Sequence, residues 1–152
     1  MSLLRKLLVR LGLCSLKTER APISVFLLDD DPRRHDWFRR RFDGDFIDIA
    51  ETVEQAKQLL KEKSYDAIFL DHDLLPHHYE SNTHGDYENT GYAIAEFLDA
   101  HPELQRAATI IVHTRNADAA IPMVQKLRAS GRNVEYVPFP MLDFKIRSYW
   151  KK

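Results

Sequence analysis

Three apolar runs in this chain end in polar residues capable of chemistry, and their spacing leaves few folds open. Ile23 to Leu28 runs into Asp29, Asp30, Asp31 and Pro32; Tyr65 to Leu70 runs into Asp71, His72 and Asp73; Thr109 to Val112 runs into His113, Thr114, Arg115 and Asn116. Short continuous apolar runs read as strands covered on both faces, the signature of a parallel sheet. Phe46 to Ala50 and Val134 to Val137 supply two more.

The intervening segments read as helices. Pro32 suits a first helical turn, and the helix it opens turns Trp37, Phe38 and Phe42 inward and Arg33, Arg34, Arg39, Arg40 and Arg41 mostly outward. Asp43 and Gly44 stop it. Thr52 and Gln55 make a capping box ahead of the stripe Val53, Ala56, Leu59 and Leu60. Gly91 to Leu98 and Ala119 to Ala129 are further helices, and Met141 to Trp150 leaves room for only a short last one. Leu75 to Thr90 is polar, carries His77, His78 and His84, and reads as a long loop. Strand–helix alternation predicts an α/β fold: a single doubly wound, five-stranded parallel sheet with helices on both faces. In such sheets ligands bind outside the carboxyl ends of the strands. The three polar clusters therefore share one pocket.

A length of 152 residues suits one domain, expected over 23–152 after an extension at 1–20. With 22 basic against 23 acidic side chains and a net charge of −1, a stable duplex nucleic-acid surface is not expected. Cys14 is the one cysteine, which excludes an intramolecular disulfide and fits the reducing cytoplasm. No apolar run approaches the roughly 18 residues of a membrane-spanning helix. Leu3, Leu4, Leu7, Leu8 and Leu11 recur at helical spacing among Arg5, Lys6 and Arg10. These bases break up the apolar core a secretory signal needs. Three readings stay open: an amphipathic helix packed on its own domain, a helix docking on a protein partner or a membrane surface through residues 3–11, or a transit peptide.

Carboxylates delivered to one sheet edge repel, and holding them together requires a cation or shifted pKa values. An all-oxygen set suits Mg²⁺. The competing reading is helix capping, which fits Asp31 best. His113 reads as a general acid/base, a phosphate contact or a filled core position. Arg115 suits bidentate phosphate binding. His72 is expected to point away from Asp71 across the strand. The loop histidines read as surface residues or, with Asp73, as a transition-metal set.

Val25 to Pro32 resembles the first strand and acidic pair of bacterial receiver domains, and Ile68 to Pro76 resembles the segment carrying their phospho-accepting aspartate, which falls on Asp71. The resemblance covers about Ser24 to Phe139. It implies a receiver, flavodoxin-like fold, with Asp29, Asp30 and Asp71 holding Mg²⁺ or Mn²⁺ and Asp73 contributing a backbone carbonyl. Two positions depart from the family. Receivers carry Thr or Ser where this chain has His113, and a lysine where it has Val137 before Pro138. The lysine normally contacts the acyl phosphate, so ordinary phosphorelay is in doubt.

Leu70 to Leu74, Thr90-Gly91 and His113 to Asn116 are more closely similar to the cyclic-phosphate processing receiver subfamily. That likeness implies a metal-dependent phosphoesterase acting on a cyclic phosphate, in a nucleotide or at an RNA end. It implies catalytic roles for Asp71, His113 and Asn116 and phosphate contacts from Thr114 and Arg115. The alternative is a non-enzymatic single-domain response regulator, phosphorylated on Asp71.

Overall fold

The computed structural model describes residues 20–74 and 90–150. The N-terminal helix expected at 1–20 and the loop histidines His77, His78 and His84 lie outside these residues.

The described chain alternates strand and helix throughout: β1 (Ser24–Leu28), α1 (Pro32–Arg41), β2 (Phe46–Ala50), α2 (Val53–Glu62), β3 (Ala67–Leu70), α3 (Gly91–Ala100), β4 (Thr109–Val112), α4 (Ala117–Ala129), β5 (Asn133–Tyr136) and α5 (Leu142–Tyr149). A short 3₁₀ turn, Phe139–Met141, precedes α5. Local chemistry sets the helix starts. Asp31 accepts the Arg33 N–H and Pro32 follows it, Thr52 accepts the Gln55 N–H, and Asn116 accepts the Ala119 N–H. Each satisfies an otherwise orphaned first-turn donor.

All strand pairs are parallel, in the order β2-β1-β3-β4-β5. This is the expected doubly wound, receiver-like sheet. β5 begins and ends one residue earlier than its apolar run, and Tyr65 precedes β3, with its N–H donated to the side chain of Gln105.

The order in which strands are added across the sheet reverses at β1. The β1-to-β2 connection runs one way along the sheet and every later one runs the other way. Right-handed crossovers therefore put α1 on one face and α2, α3 and α4 on the opposite face. Strand residues alternate between the two layers. Phe26, Leu28, Ile68, Leu70, Ile110 and Val112 pack with α2, α3 and α4. Val25, Leu27, Ala67, Phe69 and Ile111 pack with Phe38 of α1, with Phe42 at its C-cap, and with Leu142 and Ile146 of α5.

Register then places the strand ends. Leu28 pairs with Leu70, and Leu70 with Val112. The next residues, Asp29, Asp71 and His113, stand side by side. All three share the parity of Leu27, Phe69 and Ile111, so they face α1.

Candidate functional site

Asp29 and His113 are fully buried, and Asp71 is 3% exposed. Ligand-capable atoms of the three lie within 4.8 Å of one another. Burial on this scale demands partners for the charge, and Asp29 has them at every polar atom. Its Oδ2 accepts from His113 Nε2 at 2.9 Å, and its Oδ1 from the Asp31 N–H at 2.8 Å. Its carbonyl oxygen accepts from His35 Nε2 at 2.7 Å, which requires the proton on that nitrogen. Arg34, one turn into α1, donates Nε to Asp29 at 2.7 Å and Nη2 to Asp71 at 2.5 Å. One guanidinium thus ties the end of β1 to the end of β3.

Burial raises the Asp29 carboxyl, but the His113 and Arg34 bonds and charges and the Asp31 N–H outweigh it and leave the group below its ordinary value. Asp71 goes the other way. Burial pushes it up, and the opposing charges of His113 and Arg34 do not bring it back. Asp30 is also raised, by burial and then by the charge of Asp29. Two neighbouring carboxylates are thereby held on opposite sides of the ordinary range.

Asp71 is fixed by its surroundings as well. Its Oδ1 accepts the His72 N–H at 2.8 Å, and the Gly91 N–H reaches the His72 carbonyl at 3.0 Å. A Cβ on Gly91 would stand 1.9 Å from the carbonyl oxygen of Asp71. Only a glycine lets α3 start this close to the acidic loop.

The other expected site residues spread around this centre. Asp30 and Asp73 are half-buried at the pocket rim, and Asp73 Oδ1 meets His72 Nδ1 at 2.8 Å. His113 does not reach solvent. Its ring sits among Phe38, Phe69 and Phe139, and its Nδ1 is buried without a partner. Thr114 is buried, with its Oγ1 accepting the Asn116 N–H at 3.2 Å. Asn116 is exposed and caps α4. Arg115 is exposed and lines a cleft beside the pocket.

Sequence reasoning missed Arg34 and His35. Helical periodicity groups Arg34 with the mostly outward arginines, because it does not say which of two adjacent positions meets the sheet edge. The available signal was parity: Asp29 and Asp71 point to the face that α1 covers.

A family model, the cyclic-phosphate processing receiver domain, matches residues 23–129. No curated protein matches the sequence. Among solved structures, a CheY-like receiver domain from Methanospirillum hungatei shares 15% identity, covering 86% of this chain and 91% of that one at a TM-score of 0.60. The response regulator TrrA of Thermotoga maritima, solved with Mg²⁺ and BeF, shares 20% identity over 82% of this chain and 96% of its own (TM-score 0.57). The receiver domain of a Pseudomonas aeruginosa sensor histidine kinase, with a magnesium ion in its active-site cleft, shares 20% over 86% and 96% (TM-score 0.57).

Proposed function

The chain belongs to the cyclic-phosphate processing receiver domain family, and from that premise we propose that it is a divalent-cation-dependent phosphoesterase that opens a cyclic phosphate at the Asp29–Asp71 pocket. The observation that carries this reading is the buried Asp29, Asp71 and His113 group under the Arg34 guanidinium. It offers two carboxylates and a permanent donor to one small polar volume.

A cation fits the residues present. Three carboxylates meet one fixed positive charge, that of Arg34. Asp29, Asp30 and Asp71 would hold Mg²⁺ or Mn²⁺, with Asp73 contributing through its backbone. The magnesium in the structures from T. maritima and P. aeruginosa supports this choice. Such an ion supplies a polarised phosphoryl oxygen and a more acidic water.

The chain's own residues do the rest. Arg34 donates to phosphoryl oxygens beside Asp71, where charge builds as the phosphorus becomes five-coordinate. Asp71 takes a proton from the attacking water and returns it to the leaving oxygen. A water oxygen–phosphorus bond forms, one ring phosphorus–oxygen bond breaks, and a phosphomonoester leaves. His113 is a positioning residue that holds Asp29. Thr114 and Asn116 shape the loop that presents Arg115 to the phosphate. Val137, where a phospho-switch would carry its lysine, packs in the apolar layer between the sheet and α1, which disfavours a phosphorelay reading.

Incubation with 2′,3′- and 3′,5′-cyclic phosphates in Mg²⁺ or Mn²⁺ tests the proposal. Turnover by the wild type and its loss in Asp71→Asn are expected. No turnover by the wild type, or full turnover by the variant, overturns it. Stable labelling of Asp71 by a small phosphodonor without turnover supports the signalling module instead.

A further inference from the structure

Asp31, Arg33, Arg34, Trp37, Arg40, Arg115 and Phe139 line a cleft of 450 Å³. Arg34 lines this cleft and also bonds Asp29 and Asp71, so the cleft lies beside the acidic group. The volume lies in the range of small-ligand sites.

The arginines of α1 are not equivalent. Arg33 is paired with Asp31, Arg34 with Asp29 and Asp71, Arg39 with Asp36, and Arg41 with Asp143. The Arg40 side chain is exposed and has no ion pair or hydrogen bond with any described residue, and the same holds for the Arg115 side chain. These two unpaired cations point into one cleft of a chain whose net charge is −1. Folding does not use them. Trp37 lines the same cleft. It is half-buried, edge-on to Phe139 with ring centroids 5.1 Å apart, and Phe139 in turn lies under Arg34. Arg33, Trp37 and Arg40 share one face of α1 by their spacing and span about 10 Å of helix axis. That is further than one phosphate group reaches.

We propose that this cleft is a nucleotide subsite that stacks a base on Trp37 and Phe139 and holds neighbouring phosphates with Arg40 and Arg115, so that the pocket takes the end of a single-stranded RNA rather than a free mononucleotide. The inference rests on the phosphoesterase reading for the reacting group. A cyclic phosphate at a polynucleotide end needs the adjacent 2′-hydroxyl, which makes the polymer RNA. The subsite itself uses the means common to single-strand binders: aromatic platforms and unpaired basic side chains along the backbone.

The test is binding without chemistry. The full-length protein carrying Trp150→Phe reports on Trp37 by fluorescence, since the chain has two tryptophans. It is titrated in Mg²⁺ with an RNA tetranucleotide ending in a 3′-phosphate and with a mononucleoside 3′-phosphate. The tetranucleotide is expected to bind about tenfold tighter, the gain of one stacked base. Arg40→Gln weakens only the tetranucleotide, whereas Arg115→Gln, which also serves the terminal phosphate, weakens both ligands; each lowers the slope of log affinity against log salt for the tetranucleotide by about 0.7. Arg39→Gln, also exposed but paired with Asp36, leaves both affinities unchanged. Equal affinity for the two ligands, or equal effects of Arg39→Gln and Arg40→Gln, overturns the subsite. The ligands carry no cyclic phosphate, so the two proposals fail separately. Turnover of cyclic mononucleotides with no tetranucleotide preference removes the subsite alone. Preference without any turnover removes the chemistry alone.

Discussion

Arg34 and Asp71 meet at 2.5 Å between Nη2 and Oδ2, while the same guanidinium holds Asp29 at 2.7 Å. The link joins residues 37 apart in the chain. It gives the acidic pocket a fixed counter-charge from α1, whereas Val137 fills the position at which receivers carry a lysine.

Removing that counter-charge leaves the clustered carboxylates without their one permanent cationic partner. Arg34→Gln is expected to lower the melting temperature in chelator. Added Mg²⁺ is expected to raise it more in the variant than in the wild type, because a divalent ion offsets the same surplus charge. Turnover of cyclic phosphate falls about 10²–10³-fold, the usual loss of one transition-state donor. Differential scanning fluorimetry with and without Mg²⁺ checks the first part, and an equal Mg²⁺ shift in both proteins contradicts it.

Asp29 and Asp71 are expected to respond to neutralisation with opposite signs. The Asp29 carboxyl lies below its unfolded value near 3.9. Its stabilisation is complete above that pH and disappears as pH falls through the lowered folded value. Asp29→Asn therefore destabilises at pH 7, by about 3–5 kcal/mol for a broken buried pair. Asp71 is raised, chiefly by burial. Its ionisation costs the fold as pH rises through the raised value, so Asp71→Asn in chelator is expected to raise the melting temperature, by about 2–4 °C. That gain vanishes below about pH 4, where both forms of residue 71 are neutral. Melts of both variants from pH 3 to 8 read the two signs directly.

Replacing His113 separates positioning from packing. His113→Ala leaves a hole among Phe38, Phe69 and Phe139 and an unpaired oxygen on Asp29, at a cost of about 3 kcal/mol. His113→Gln restores a donor to Asp29 and is expected to recover most of the turnover, with an unchanged pH–rate profile. A profile that loses one limb in the glutamine variant would assign His113 a direct proton transfer.

Gly91→Ala tests the close approach at the start of α3. The new Cβ meets the Asp71 carbonyl oxygen at 1.9 Å, and backbone must move to admit it. Destabilisation of about 1–3 kcal/mol is expected. Chemical denaturation measures it, and a neutral result means that the loop yields freely.

Much of this was legible in the chain itself. The apolar runs before Asp29, Asp71 and His113 announce strands buried on both faces, because only such strands dispense with alternation. Their strict alternation with amphipathic helices then sets the parallel sheet and its functional edge. The acidic pair and the loop Asp71 to Leu74 carry the family resemblance over the region its model matches, residues 23–129. Side-chain roles within the site were less legible. His113 looked like a reacting group from its place at a strand end, yet register and parity bury it behind Asp29. Asn116, for which the family resemblance implies a catalytic role, caps α4.

The sequence by itself determined the sheet, its functional edge and the carboxylates that line it, since these follow from hydrophobic patterning and local caps. Only the tertiary structure decided which arginine of α1 turns inward to Asp71, which stays unpaired over the cleft, and which side of Asp29 is closed by His113. Those outcomes depend on how the helix is rotated against the sheet and on pairings across dozens of residues, where burial forces each charge to find a partner that no local pattern names.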